Sequence, residues 1–291
     1  MATSEVMIEK RNSKRALLDS VMRIVFLLST LVGIVALVIL IGSVLKDGLG
    51  ALSIEFFTNF SSSRPERAGI KGALIGTIWL MALTTPIAIF LSVGTALYLE
   101  EYAPKNKITR FIEVNIANLA GVPSVVFGLL GLTIFVRQFG LGNSVLAASL
   151  TLSLMIMPVI IVSSKEALRS VPHSIREGSI GLGASKWQTI YRIVLPAAIP
   201  GIITGIILAI SRAIGETAPL VVIGIPVALL TTPDSIFDSF QALPMQIYNW
   251  VKMPQEGFVA LTAAGIIVLL AILLMMNLVA VLIRNKYSKR F

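Results

Sequence analysis

The sequence predicts an all-α integral membrane protein of six transmembrane helices with both termini in the cytosol. Three observations carry that prediction. The chain of 291 residues is 56% hydrophobic and has a mean hydropathy of +0.89, and its charged residues, 13% of the whole, are too few to cover a water-soluble globule. Uncharged apolar runs recur at the length of roughly 20 residues that a helix needs to cross a hydrocarbon core of about 30 Å. Lys and Arg collect in alternate connections, as the resistance of cations to translocation requires.

Five uncharged runs stand out in order, residues 24–45, 72–99, 114–136, 139–164 and 257–283. A sixth, 193–233, is interrupted only by Arg212 and Glu216 and reads as one crossing followed by external chain. The first run follows basic residues as a secretory signal would, but it outlasts a usual signal core and has no small-x-small cleavage site after it, so a retained anchor is expected. Lys10, Arg11, Lys14, Arg15 and Arg23 precede it. Lys105, Lys107 and Arg110 lie between the second and third spans, Lys165, Arg169, Arg176, Lys186 and Arg192 between the fourth and fifth, and Arg284, Lys286, Lys289 and Arg290 after the sixth. The opposite side holds only Lys46, Arg64, Arg67, Lys71, Arg137 and Lys252. A seventh span would carry the basic tail outward, against the rule. Pro86, Pro123 and Pro158 fall inside spans two, three and four and are expected to kink them.

Composition also excludes classes. Cysteine is absent and His173 is the one histidine, which removes disulfides and leaves little for a metal site. The net charge of +9 follows from topology and not from a nucleic-acid surface, since the cations sit between apolar runs. In the second external loop, Phe240, Leu243, Met245, Ile247, Tyr248 and Trp250 suggest a short helix, with Trp and Tyr anchoring at the lipid headgroups or docking an external partner.

The connection between spans four and five has the punctuation of two short helices. Pro172 suits a helix start, Gly181 and Gly183 a turn, and Ser185 stands three residues before Gln188, the spacing of a capping box. Trp187, Ile190, Tyr191 and Val194 then recur at helical spacing and predict one apolar face. An amphipathic helix between two spans needs lipid or a partner to cover it. The stretch GLGASK is not a dinucleotide fingerprint, because Lys186 replaces the third glycine, and no G-x-x-x-x-G-K-[ST] occurs in the chain. Arg212 and Glu216 are the second anomaly. An uncompensated Arg at mid-membrane costs about 2.5 to 3.5 kcal/mol on insertion scales, so Arg212 is expected to face a partner or a watery path. With a helix starting near Pro200, Glu216 lies one turn beyond Arg212 on the same face, where the pair neutralises itself. An Arg so placed suits a tetrahedral oxyanion, which its planar fork can hold by two parallel hydrogen bonds.

The cytoplasmic connection resembles that of the membrane subunits of bacterial ATP-binding-cassette importers, whose pattern is E-A-A, three residues, G, nine residues, I-x-L-P. Glu177, Gly183, Ile193, Leu195 and Pro196 match, with Gly178 and Ser179 in place of the alanines. RAIGETAPL from Arg212, ALPMQIYNW from Ala242 and LAGVPSVVFGL from Leu119 are similar to the phosphate-specific branch, to PstA-type subunits more than PstC-type ones. The resemblance implies a type I ABC importer permease architecture, with 1–23 a cytoplasmic segment, 24–45 the first anchor, 46–71 an external loop, 70–286 the permease core, 165–196 its coupling loop and 284–291 a basic cytoplasmic tail. It implies ATPase docking through Glu177, Gly178, Ser179, Gly183, Ser185 and Trp187, and a substrate path through Arg212, Glu216 and Thr217. The expected partners are a PstC-like sister permease, two ATPases, an external phosphate-binding protein and membrane lipid. The chain itself is expected to bind no cofactor, ATP being used by the partner subunits. Two alternatives stay open: the same architecture for sulfate or molybdate, and an independent channel or secondary transporter.

Overall fold

The structure, a computed structural model, describes the backbone of residues 2–287 and the side chains of residues 18–286. The last residues of the basic tail, Lys289 and Arg290 among them, lie outside the described residues, as do the side chains of Lys10, Arg11, Lys14 and Arg15. Helix α1 (Ala2–Gly48) stands apart from the bundle for most of its length. It touches the rest near its outer end, where Gly48 lies so close to Ala263 and Ala264 that a Cβ would collide with their backbone. Helix α2 (Ile54–Thr58) is capped by Ser53, whose Oγ accepts from Phe56 N at 3.2 Å, and this turn places Phe56 in an outer cluster with Trp250 and Phe258.

Helix α3 (Lys71–Leu97) continues through a π turn, Tyr98–Tyr102, and runs unbroken through Pro86. Helix α4 (Lys107–Leu119) and helix α5 (Ser124–Gly131, extended by π turns to Gln138) meet at 106° across residues 120–123. The third span, read over 114–136 with a kink expected at Pro123, is therefore a bent pair broken beside that proline, and its first helix begins earlier, at Lys107. Pro123 makes the break: it caps α5 in a non-helical conformation (ψ 138°), while α4 has ended at Leu119 with Ala120 as its cap. Helix α6 (Val145–Arg169), capped by Ser144, packs against α3 along its length, and its Ser149 and Ser153 hydroxyls donate to the carbonyls of Leu80 and Thr84 at 3.2 and 3.1 Å. Without water to drive burial, such close packing and interhelical hydrogen bonds hold membrane helices together.

Helix α7 (His173–Gly181) and helix α8 (Lys186–Thr189) flank the cytoplasmic turn. Helix α8 passes through a π turn, Ile190–Val194, into helix α9 (Leu195–Gly215) without a break, so one rod of 30 residues, Lys186–Gly215, reaches from the turn into the bundle. Gly201 and Gly205 let α9 close on α6, where a Cβ would strike Ala167 and Ser163. Helix α10 (Ala218–Ile223) follows, ended by Gly224 at φ +84°, and packs on α5, with Gly128 of α5 against Pro219 and Val222.

The chain then folds back over the outer end, where Val145 N and Leu146 N donate to Asp238 O and Ile236 O. Helix α11 (Leu243–Val251) confirms the short helix expected in this loop, but Trp250 and Phe240 are 1% and 0% exposed inside the fold, and only Tyr248 reaches outward. Trp250 thus packs with Phe56 and Phe258, and Phe240 joins the core cluster of Leu80 and Met81, instead of anchoring at headgroups. Helix α12 (Gly257–Tyr287) closes the bundle. Among the described residues, five helices are long and apolar enough to cross a membrane, and the bent pair makes six.

Candidate functional site

At the cytosolic end, α7 and α8 form a tight corner. Gly183 takes φ +89°, a left-handed conformation that glycine adopts freely, and turns the chain between them. The expected capping box is present: Gln188 N donates to Ser185 Oγ at 3.2 Å, and Ser185 N donates to Gln188 Oε1 at 2.9 Å. Ser179 is buried and shares a hydrogen bond of 2.9 Å with the Thr189 hydroxyl, which locks the two helices and requires a small polar residue there. Glu177 and Gly178 are exposed, and the space around Gly178 is open, so an alanine would fit. Leu182 projects from the tip, 92% exposed.

The four apolar positions of α8 do not share one face. Ile190 and Val194 turn inward and are buried, whereas Trp187 and Tyr191 stack on each other in the open, ring centres 6.0 Å apart. The π turn at Ile190–Val194 rotates the helix and splits the expected stripe.

Ion pairs tie this corner to the bundle, through acidic residues that no sequence motif singled out. Glu100 receives Arg169 at both oxygens, from Nη2 at 3.0 Å and from Nε at 3.2 Å. Glu101 pairs with Arg176 at 3.1 Å with both side chains largely buried, and Arg176 also donates to Leu168 O at 2.6 Å. Lys165 meets Glu113 at 2.6 Å. The adjacent acidic residues after the long apolar run 72–99 were the available signal.

The second locus is where α9 ends. Ala209, Ala213 and Ile214 share a core cluster with Leu80, Met81 and Ala88 of α3 and with Leu152, Met155 and Ile156 of α6, the middle portions of both helices. The helix therefore terminates at depth, and its last carbonyls present a partial negative charge there. Arg212 lies in that last turn. Glu216 does not continue the helix as the spacing suggested; Gly215 ends it and Glu216 is extended (ψ 118°), yet Arg212 Nε still donates to Glu216 Oε1 at 3.1 Å. Thr217 is the cap of α10, half-buried beside the pair. The Gly215 to Pro219 wording, glycine then proline, was the signal for this stop.

The Arg212 side chain is 42% exposed and that of Glu216 18%. On α9, Gly201, Thr204, Leu208, Arg212 and Gly215 form one outward stripe. Broken helices at membrane depth are tolerated where they are buried in protein or line a watery cavity. Here the helices that follow the two breaks, α5 and α10, pack together at Gly128 and Pro219. Beside Arg212, Ser211 donates to Asn277 Oδ1 of α12 at 2.7 Å, a polar contact that neither residue type announced in the sequence. The arrangement offers a fixed cation at depth, held on one side and open on the other.

Comparisons with known proteins agree with this architecture. Residues 88–289 match the family model described as "Binding-protein-dependent transport system inner membrane component". The probable ABC transporter permease protein YqgI of Bacillus subtilis (strain 168) is 34% identical over 259 residues, covering 84% of this chain and 87% of that protein. The phosphate transport system permease protein PstA 1 of Mycobacterium tuberculosis (strain ATCC 25618 / H37Rv) is 34% identical over 283 residues, 95% of this chain and 91% of that protein. Among solved structures, an inward-facing form of the MetNI methionine ABC transporter superposes with a TM-score of 0.62 over 75% of this chain and 97% of that one, at 15% identity. A bacterial alginate ABC transporter superposes with a TM-score of 0.58 over 96% of each chain, at 17% identity. At such identities the two structures speak for the fold alone. The chain, a multi-pass membrane protein, belongs to the family of inner-membrane components of binding-protein-dependent transport systems.

Proposed function

We propose that the chain is the PstA-type permease subunit of an ATP-driven phosphate importer, forming half of the translocation path beside a PstC-like sister subunit. The observation that carries the reading is the Arg212–Glu216 pair at the end of α9. A guanidinium has five N–H donors, and among the described residues only Nε of Arg212 has a partner, Glu216. Glu216 thereby fixes the plane of the guanidinium while Nη1 and Nη2 point two parallel donors at an arriving oxyanion. The carboxylate also offsets the charge, so that phosphate is attracted without being trapped. The relatives named for phosphate transport support the choice of solute.

In this reading the chain hydrolyses nothing. Of two partner ATPases, one seats on the corner built by Glu177, Gly178, Ser179, Gly183, Ser185 and Trp187 and the other on the sister subunit, and an external phosphate-binding protein delivers the solute. ATP-driven closure of the ATPases moves α7, and the continuous α8–α9 rod changes the exposure of Arg212. That is a two-state element biased by ligand at its cytosolic end.

Phosphate uptake by the reconstituted complex tests this. Replacing Arg212→Gln removes the charge-assisted donors, each worth about 1.5 to 3 kcal/mol, and should lower uptake at least tenfold while the ATPases still copurify. Normal phosphate uptake by that variant would overturn the site. Sulfate or molybdate outcompeting phosphate in the wild type would move the solute assignment and leave the site in place.

A further inference from the structure

A second basic locus lies at the cytosolic end, remote from Arg212. A cavity of about 840 Å³ opens between the π turn after α3, the start of α4 and the corner of α6 with α7. Lys105, Lys107, Arg110, Arg169, His173 and Arg176 stand on its walls, together with the carboxylates of Glu100 and Glu113. Both carboxylates are already engaged, Glu100 by Arg169 and Glu113 by Lys165. Arg176 is engaged by Glu101, yet its Nε is buried with no hydrogen-bond partner. Lys105, Lys107 and Arg110 have no carboxylate partner among the described residues. Three free cations around one recess repel one another unless an anion sits between them.

The surroundings of the recess identify the anion. Helix α4 is held to the bundle by a narrow stripe, Thr109, Glu113 and Ile116, which is half-buried. Its other sides turn Ile108, Phe111 and Ile112 outward, 70%, 69% and 43% exposed. The recess therefore adjoins an uncovered apolar helix face at the level where cytosol meets the bilayer. A free ion would satisfy the cations and leave that face bare, whereas a phospholipid satisfies both, with its phosphate among the cations and its acyl chains along Ile108, Phe111 and Ile112.

We infer that this recess holds the headgroup of an anionic phospholipid of the cytosolic leaflet, which steadies α4 against the α6–α7 corner. The site needs no particular transported solute, so it stands or falls apart from the phosphate reading. The test uses the full chain, purified with its copurifying partners from nanodiscs of phosphatidylcholine with or without phosphatidylglycerol. Retained lipid is then weighed by mass spectrometry. Wild type should keep phosphatidylglycerol and lose it as salt is raised. Lys105→Gln, Lys107→Gln and Arg110→Gln combined should weaken that retention by about a hundredfold, a factor of about five for each cation, with phosphatidylcholine unaffected. Equal retention by the triple variant would overturn the inference. So would displacement of the lipid by millimolar inorganic phosphate, which would make the occupant a free anion. Loss of the copurifying ATPase with lipid retention unchanged would do the same, because the cations would then belong to a protein interface.

Discussion

Gly183 and Ser179 show how one side chain can set the geometry of the cytosolic corner. At φ +89° any side chain with a Cβ pays about 1 to 2 kcal/mol, although the space around Gly183 is open. Gly183→Val should therefore leave the bundle intact but reshape the turn, and copurification of the ATPase should fall several-fold; an unchanged yield of complex would count against docking at this corner. The spacing of Glu177, Gly183 and Pro196 made this corner legible, as did the Ser185 to Gln188 box, because turn and cap chemistry is local in sequence. Ser179 was legible only as a small residue. Its bond to Thr189 spans ten residues and depends on how tightly the turn closes, which no local pattern states. Arg212 was conspicuous as a charge in an apolar run, but Glu216 was placed on the same helix because i,i+4 spacing cannot distinguish a continuing helix from one that stops at Gly215 with the pair intact.

Among the elements, hydropathy located the spans, and of the three prolines expected to kink them only Pro123 stands at a break. Pro86 and Pro158 sit inside continuous helices, while Pro123 marks a turn of 106°. All three look alike in an uncharged run. The difference lies beside them: Gly121 precedes Pro123, and Glu113, Asn115 and Asn118 make the preceding stretch too polar for a lipid-facing rod. The contact of α6 with α9 rests on glycine for a different reason, close approach. Gly205→Leu would drive a side chain into Ser163, and overpacking of this kind costs about 1 to 3 kcal/mol. We predict a lower unfolding temperature in detergent for this variant, and little change for Gly178→Ala, whose Cβ meets nothing within 4 Å. A Gly205→Leu protein as stable as wild type would mean that α6 and α9 do not pack this closely.

For the molecule as a whole, the acidic π turn after α3 joins the membrane bundle to the cytosolic corner. Glu101 and Arg176 are largely buried, and removing one charge of such a pair strands the other at a cost of about 3 to 5 kcal/mol. Glu101→Gln should loosen α7 from the bundle, so that ATP hydrolysis by the complex continues while phosphate moved per ATP drops; an unchanged ratio would show that the pair serves stability alone. This connection was not legible, since Glu101 and Arg176 are far apart in the chain and each alone resembles a solvated charge. The unbroken α8–α9 rod has a mechanical consequence. Its 30 residues make an arm of about 45 Å at a rise of 1.5 Å per residue, so a tilt of about 10° at the cytosolic pivot sweeps the Arg212 end through about 8 Å. A slight tilt at the cytosolic end of this arm is thus enough to carry a guanidinium across the width of a hydrated ion.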